Sequence, residues 1–224
     1  MNIFILILSV VIGVLIIKLL RPKFNDIQLL LSFSGAYLLS ITILHLLPDV
    51  FNDTDNLIGL YILAGVILQT VLEFFSKGVE HGHVHLKEKA TIPATLLLSL
   101  YIHAFTEGIP LYHQHSHSLL WAIAIHKIPV AAVFYVFLIR ANISNFLIIL
   151  FISLFAIMSP LGYLTSDYIT FFNTYNKEIT AIVVGIFLHV ATAILFESSQ
   201  DHKFHLKKFL AIIIGFLIAL IGIL

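Results

Sequence analysis

The chain contains no cysteine. Disulfides, thiolate metal sites and cysteine nucleophiles are therefore excluded, while the cellular compartment stays open. Charge is scarce as well. Only 11% of the 224 residues are Asp, Glu, Lys or Arg, where soluble domains carry roughly 25%. Formal net charge is zero with histidine neutral, so there is no basic footprint for nucleic acid. What fills the chain instead is 60% hydrophobic residues, more than a water-soluble fold can hide behind so few charges. Two counts stand out, nineteen Phe and twelve His. Phe suits contact with lipid; that much imidazole in an apolar chain needs another reason.

A bilayer core about 30 Å thick is crossed by roughly 20 apolar residues in a helix. Eight stretches fit: Asn2–Leu20, Ile27–Phe51, Leu57–Lys77, Thr91–Tyr112, Ser118–Arg140, Asn145–Thr165, Lys177–Glu197 and Lys207–Leu224. The expected fold is all-α, a polytopic membrane bundle of about eight helices forming one domain over residues 1–224. The loops are short and polar, and no internal repeat is evident. The first stretch lacks a basic n-region and a small-residue cleavage site, so it reads as a spanning helix and not as a signal peptide. Ten of the twelve basic residues fall in alternate loops: Lys18, Arg21 and Lys23, then Lys77, Lys87 and Lys89, then Arg140, then Lys203, Lys207 and Lys208. The positive-inside rule makes that side cytoplasmic. Both termini are then expected on the non-cytoplasmic side, and an even helix count agrees with both lying on one side. The expected location is the plasma (inner) membrane.

Ionisable groups within a membrane span are costly and read first as functional. His103 and Glu107 are four residues apart, which puts both on one helix face about a turn apart. A neutral imidazole beside a carboxylate is half of a zinc-type site. The alternative is an intrahelical hydrogen bond within a packed core, since polar membrane residues also serve as interhelical glue. Gly108 and Pro110 follow, and proline frees a backbone carbonyl. The next helix repeats the theme with His126, Lys127 and Pro129. A short connection makes the two helices antiparallel neighbours, so His126 can complete a set of two His and one carboxylate, of the kind that leaves a coordination position open. His45 and Asp49 form another i, i+4 pair around Pro48, fit either to admit ions from outside or to cap the helix at the interface. His189 and Glu197 are accessory candidates, and Glu73 lies near a helix end.

Two further clusters lie in loops. His81, His83 and His85 alternate beside Glu80 in the cytoplasmic loop of about residues 78–90, and His113, His115 and His117 alternate in an outer loop. Alternating His in a loop binds Zn²⁺, Cu²⁺ or Ni²⁺ loosely. Clusters on both faces, joined by helices with buried His, point to metal handling.

In order along the chain, these segments resemble the ZIP (Zrt/Irt-like) family of divalent-metal transporters. Leu44-His45-Leu46-Leu47-Pro48-Asp49 is similar to the family's His-Leu-Leu-Pro-Glu. His103-Ala104-Phe105-Thr106-Glu107-Gly108 resembles His-Asn-x-x-Asp/Glu-Gly, and His126-Lys127-Ile128-Pro129-Val130-Ala131 resembles His-Glu-Ile-Pro-His-Glu. Ser159-Pro160-Leu161-Gly162 is similar to Glu-Pro-Leu-Gly, and Gly185-Ile186-Phe187-Leu188-His189-Val190-Ala191 to Gly-Thr-Phe-Leu-Tyr-Val-Ala. The helix count, outward termini and His-bearing third loop fit as well.

The resemblance implies two adjacent metal positions on helices four, five and six. His103, Glu107 and His126 match the first. The second is changed throughout: Ala104 stands for the family Asn, Lys127 for the first helix-five acid, Ser159 for the helix-six acid, and Val130 for the bridging ligand. A lysine there would serve as a tethered substitute for the second cation and pair with Glu107. The expected function is transport of a divalent ion toward the cytoplasm through a single site. Zn²⁺ is the first candidate, with Fe²⁺ or Mn²⁺ next. The alternative is a membrane homologue that binds or senses metal without moving it. An enzyme is not expected, because the His-Glu-x-x-His signature is absent. Expected partners are metal ions and membrane lipid, with a homodimer implied by the resemblance.

Overall fold

A computed structural model describes residues 2–52, 57–79, 92–112, 117–197 and 205–222. Eight helical rods account for nearly all of them: α1 (Asn2–Leu20), α2 (Phe24–Phe51), α3 (Ile58–Ser76), α4 (Ala94–Tyr112), α5 (His117–Arg140), α6 (Asn145–Tyr168), α7 (Asn176–Glu197) and α8 (Leu206–Ile221). A short helix, Thr170–Thr174, joins α6 to α7. The boundaries follow local chemistry. The Asp26 carboxylate accepts the Lys23 N–H at 3.0 Å to start α2, and the Ser144 hydroxyl caps α6. At the end of α3, Lys77 and Gly78 both take positive φ, which turns the chain sharply.

Seven rods are long and apolar enough to cross a bilayer. The eighth, α8, has 16 residues within the described part of the chain, which ends at residue 222. The chain is thus an all-α integral membrane protein. α2 is not a plain helix either. Pro48 has no N–H to give to Leu44, and the preceding turn widens into a π-helical segment over Thr42–Leu46 before α-helix resumes at Leu47.

Glycine sets which rods touch. A Cβ on Gly65 would lie 1.9 Å from the Ile182 carbonyl oxygen, and one on Gly185 would lie 2.0 Å from that of Ile62. α3 and α7 therefore meet backbone to backbone, as small residues permit between membrane helices. Gly108 and Gly162 do the same for α4 and α6, against the carbonyls of Ser159 and Phe105, each at 2.1 Å. Hydroxyls tie that second pair along its length: Tyr101 to the Phe151 carbonyl (3.1 Å), Ser159 to that of Ala104 (2.6 Å) and Ser166 to that of Ile109 (2.8 Å). α5 is the most enclosed span, with 72% of its window buried.

Two apolar clusters form the core. One holds Leu96, Leu100 and Ala104 of α4 with Val130, Phe134 and Phe137 of α5 and Phe155 of α6. The other holds Leu111, Leu119, Leu120 and Ile123 from the opposite ends of α4 and α5, with Ile58 and Ile62 of α3. The residues between them on α4 and α5 are 103 to 107 and 126 to 127. The fold thus places a polar layer at mid-span between two dry regions. If the α3–α7 contact carries the packing, Gly65→Val should lower the thermal midpoint in detergent, at an overpacking cost of about 1–3 kcal/mol or more. Gly59→Ala, which meets nothing within 4 Å, should leave it unchanged or slightly higher.

Candidate metal site

The polar layer gathers five side chains from three spans. His103 and Glu107 come from α4, His126 and Lys127 from α5, and Ser159 from α6; none is more than 2% exposed. Ligand atoms of His103, Glu107 and His126 all lie within 4.8 Å of one another, the arrangement a metal ion needs. His103 Nε2 stands 3.8 Å from Glu107 Oε2. Ligands about 3.3 Å apart would suit a tetrahedral ion with bonds of 2.0–2.1 Å. The gap between His103 and Glu107 closes with about half an ångström of movement. The two imidazole rings lie 6.3 Å apart at 82°, edge toward face, as two ligands of one ion can.

The other carboxylate oxygen is committed. Lys127 Nζ donates to Glu107 Oε1, and also to Ser159 Oγ at 2.6 Å. Ser159 Oγ lies 2.8 Å from the same Oε1 and donates to the Ala104 carbonyl. The Phe155 ring covers the ammonium, 4.5 Å from centroid to Nζ. Lys127 is thus held by an anion, a hydroxyl and a π-face, while Oε2 is left facing His103. Ala104 enters only through its carbonyl, and Val130 packs in the apolar cluster.

A fourth span, α3, also reaches the layer, which the sequence reading missed. Gln69 Oε1 lies 3.2 Å from His103 Nδ1 and is wholly buried. The available signal was a lone carboxamide in a mostly apolar span that also carries Thr70 and Glu73. One turn further along α3, Glu73 Oε2 pairs with His189 Nε2 of α7 at 2.5 Å, and both side chains are about one-fifth exposed. Glu73 also lines an open cleft of about 360 Å³ with Thr70, Phe74, Lys77 and Gly78.

The remaining candidates lie elsewhere. His45 sits in the π-helical turn of α2, half-buried, with Nε2 enclosed and lacking a hydrogen-bond partner; Asp49 is exposed. His117 is exposed at the start of α5, and Glu197 is the last residue of α7. His81, His83, His85, His113 and His115 lie outside the described residues.

Removing one member of a buried ion pair strands the other charge, at about 3–5 kcal/mol. Lys127→Ala should therefore lower stability by that order in detergent unfolding. Adding Glu107→Gln should recover most of the loss; a double variant no more stable than the single one would mean the pair does not carry this layer.

No curated protein matches the chain. A family model described as "ZIP Zinc transporter" matches residues 76–222.

Proposed function

The chain belongs to the ZIP zinc transporter family, and from that membership we propose that it carries a divalent ion, zinc first, to the cytoplasm through one site made by His103, Glu107 and His126. The observation that supports this is the convergence of those three buried ligand atoms within 4.8 Å at mid-span. Two imidazoles and one carboxylate suit borderline ions such as Zn²⁺, with Fe²⁺ and Mn²⁺ as further cargo, better than Mg²⁺ or Ca²⁺. Water or a carbonyl fills the open position. Three ligands hold an ion firmly enough to shed water and loosely enough to leave.

Lys127 is the reason for a single site. Its ammonium occupies Glu107 Oε1 and Ser159 Oγ, on the side where the family resemblance gives a second cation. It supplies that positive charge permanently and leaves Oε2 to the ion being carried. His45 and Asp49 admit the ion, and the Glu73–His189 pair and its cleft lead it onward. The loop residues His81, His83 and His85, which lie outside the described residues, are assigned to receiving it inside, with Glu197 accessory. Both termini face away from the cytoplasm, the chain sits in the plasma membrane, and two copies assemble as a dimer.

A second reading has one observation in its favour. The same ion pair that tunes the site also locks Glu107 to α5 and α6, as a protein that binds or senses metal without moving it would need.

Zinc uptake into proteoliposomes separates the two. The wild type should accumulate zinc, and the His103→Ala, Glu107→Ala double variant should not. Zinc binding without uptake by the wild type would establish the second reading. Lys127→Asp should change metal preference or affinity, and an unaltered profile would remove the tethered-cation role. Topology is testable directly, because the chain lacks cysteine. A cysteine placed at Asn142 should react with a membrane-impermeant thiol reagent only from the cytoplasmic face, and one at Tyr175 only from the outside.

A further inference from the structure

Gln69 stands out among the polar groups that the proposed chemistry leaves unused. It is 0% exposed, and it sits on α3, a span that gives no ligand to the site. A buried carboxamide is unfavourable in a lipid-facing bundle unless it is hydrogen-bonded. Its oxygen is bonded to one particular atom, His103 Nδ1, at 3.2 Å. We propose that Gln69 is a positioning residue that fixes the His103 imidazole in its Nδ1–H tautomer and so aims the Nε2 lone pair at the site.

With the Gln69 amide oxygen turned toward the ring, as in the structure, one assignment follows. A carboxamide oxygen accepts and cannot donate, so the proton of that bond belongs to Nδ1. A neutral imidazole has a single N–H, which leaves its lone pair on Nε2. Nε2 is the nitrogen that faces Glu107 Oε2 at 3.8 Å, too far for a hydrogen bond but suited to a shared ion. The opposite tautomer would point an N–H into the ligand space and repel a cation.

Rigidity supports the same role. Gly65 lies one turn before Gln69 and lets α3 seat directly on the α7 backbone, so the span that carries the acceptor is held by main-chain contact. A ligand oriented from such an element keeps its direction better than one oriented from a loop. A merely structural amide would stabilise the helix contact without caring which imidazole nitrogen bears the proton.

The metal-binding consequence rests on the site reading given above; the tautomer itself does not. The experiment uses the full chain in detergent without metal, with ¹⁵N-labelled histidine and long-range ¹H–¹⁵N spectra. The His103 signals are assigned by their loss in His103→Gln. Zinc affinity is then measured by competition with a chromophoric chelator. The wild type should show the Nδ1–H pattern. Gln69→Leu should lose that pattern and bind zinc about 10–100-fold more weakly. Gln69→Glu, which restores an acceptor oxygen at the same reach, should recover both. Gln69→Asn keeps the amide but withdraws it by one methylene, and should behave like Gln69→Leu even if the leucine variant fails to fold. An unchanged His103 tautomer in Gln69→Asn overturns the proposal. So does equal weakening in Gln69→Asn and Gln69→Glu while both elute as folded protein. A wild type that shows the Nδ1–H pattern but binds no zinc would instead refute the site reading and leave the positioning role standing.

Discussion

The structure depends on one ion pair in a place where charge is expensive. Glu107 and Lys127 meet in a layer closed above and below by apolar clusters. Neither could stay charged there alone at acceptable cost. Together they sum to zero, and the remaining polarity is met locally: Ser159 bridges to the Ala104 carbonyl, and Phe155 gives the ammonium a negative π-face. The pair also decides geometry. It pins α4 to α5, while Ser159 and the facing Gly108 and Gly162 pin α4 to α6. The two imidazoles come to the layer on those same helices, so their convergence follows from the arrangement that satisfies the charges.

Much of this was legible in the sequence because bilayer physics is nearly one-dimensional. Hydropathy placed the rods to within a few residues; α2 begins at Phe24 where Ile27 was expected, and α5 at His117 where Ser118 was. The i, i+4 spacing of His103 and Glu107 fixed their common face, and the hairpin with α5 fixed the level of His126. Contacts between distant spans were not legible. Gln69 and His103 are 34 positions apart, and periodicity along α3 says only that a lone amide occupies some face. The partner of Glu73 was hidden for the same reason, since His189 lies 116 positions away.

The π-helical turn of α2 shows a different limit. His45 and Asp49 were read as a pair on one face of an α-helix. Pro48 sits between them, and the turn before it, Thr42–Leu46, is π-helical, so His45 lies in the widened turn and Asp49 in the α-helix that follows. His45 ends half-buried with an enclosed nitrogen, while Asp49 is exposed. Proline was visible in the sequence; the way the helix absorbs it depends on what packs beside that turn.

The charge balance also bears on which ion the proposed site would favour. Two carboxylates of the described bundle already face a basic side chain, Glu107 with Lys127 and Glu73 with His189. Hard cations such as Mg²⁺ and Ca²⁺ rely on several oxygen ligands and on net negative charge, and the layer offers neither. What it does offer is imidazole, whose nitrogen binds borderline ions through a lone pair and needs no anionic surplus. A fixed ammonium beside the carboxylate therefore weakens every divalent cation, but weakens most those that depend on charge alone. On this reasoning the change of a family acid to Lys127 narrows the choice toward zinc-like ions while lightening the grip on them. A site that must release its cargo to the far side gains from both effects.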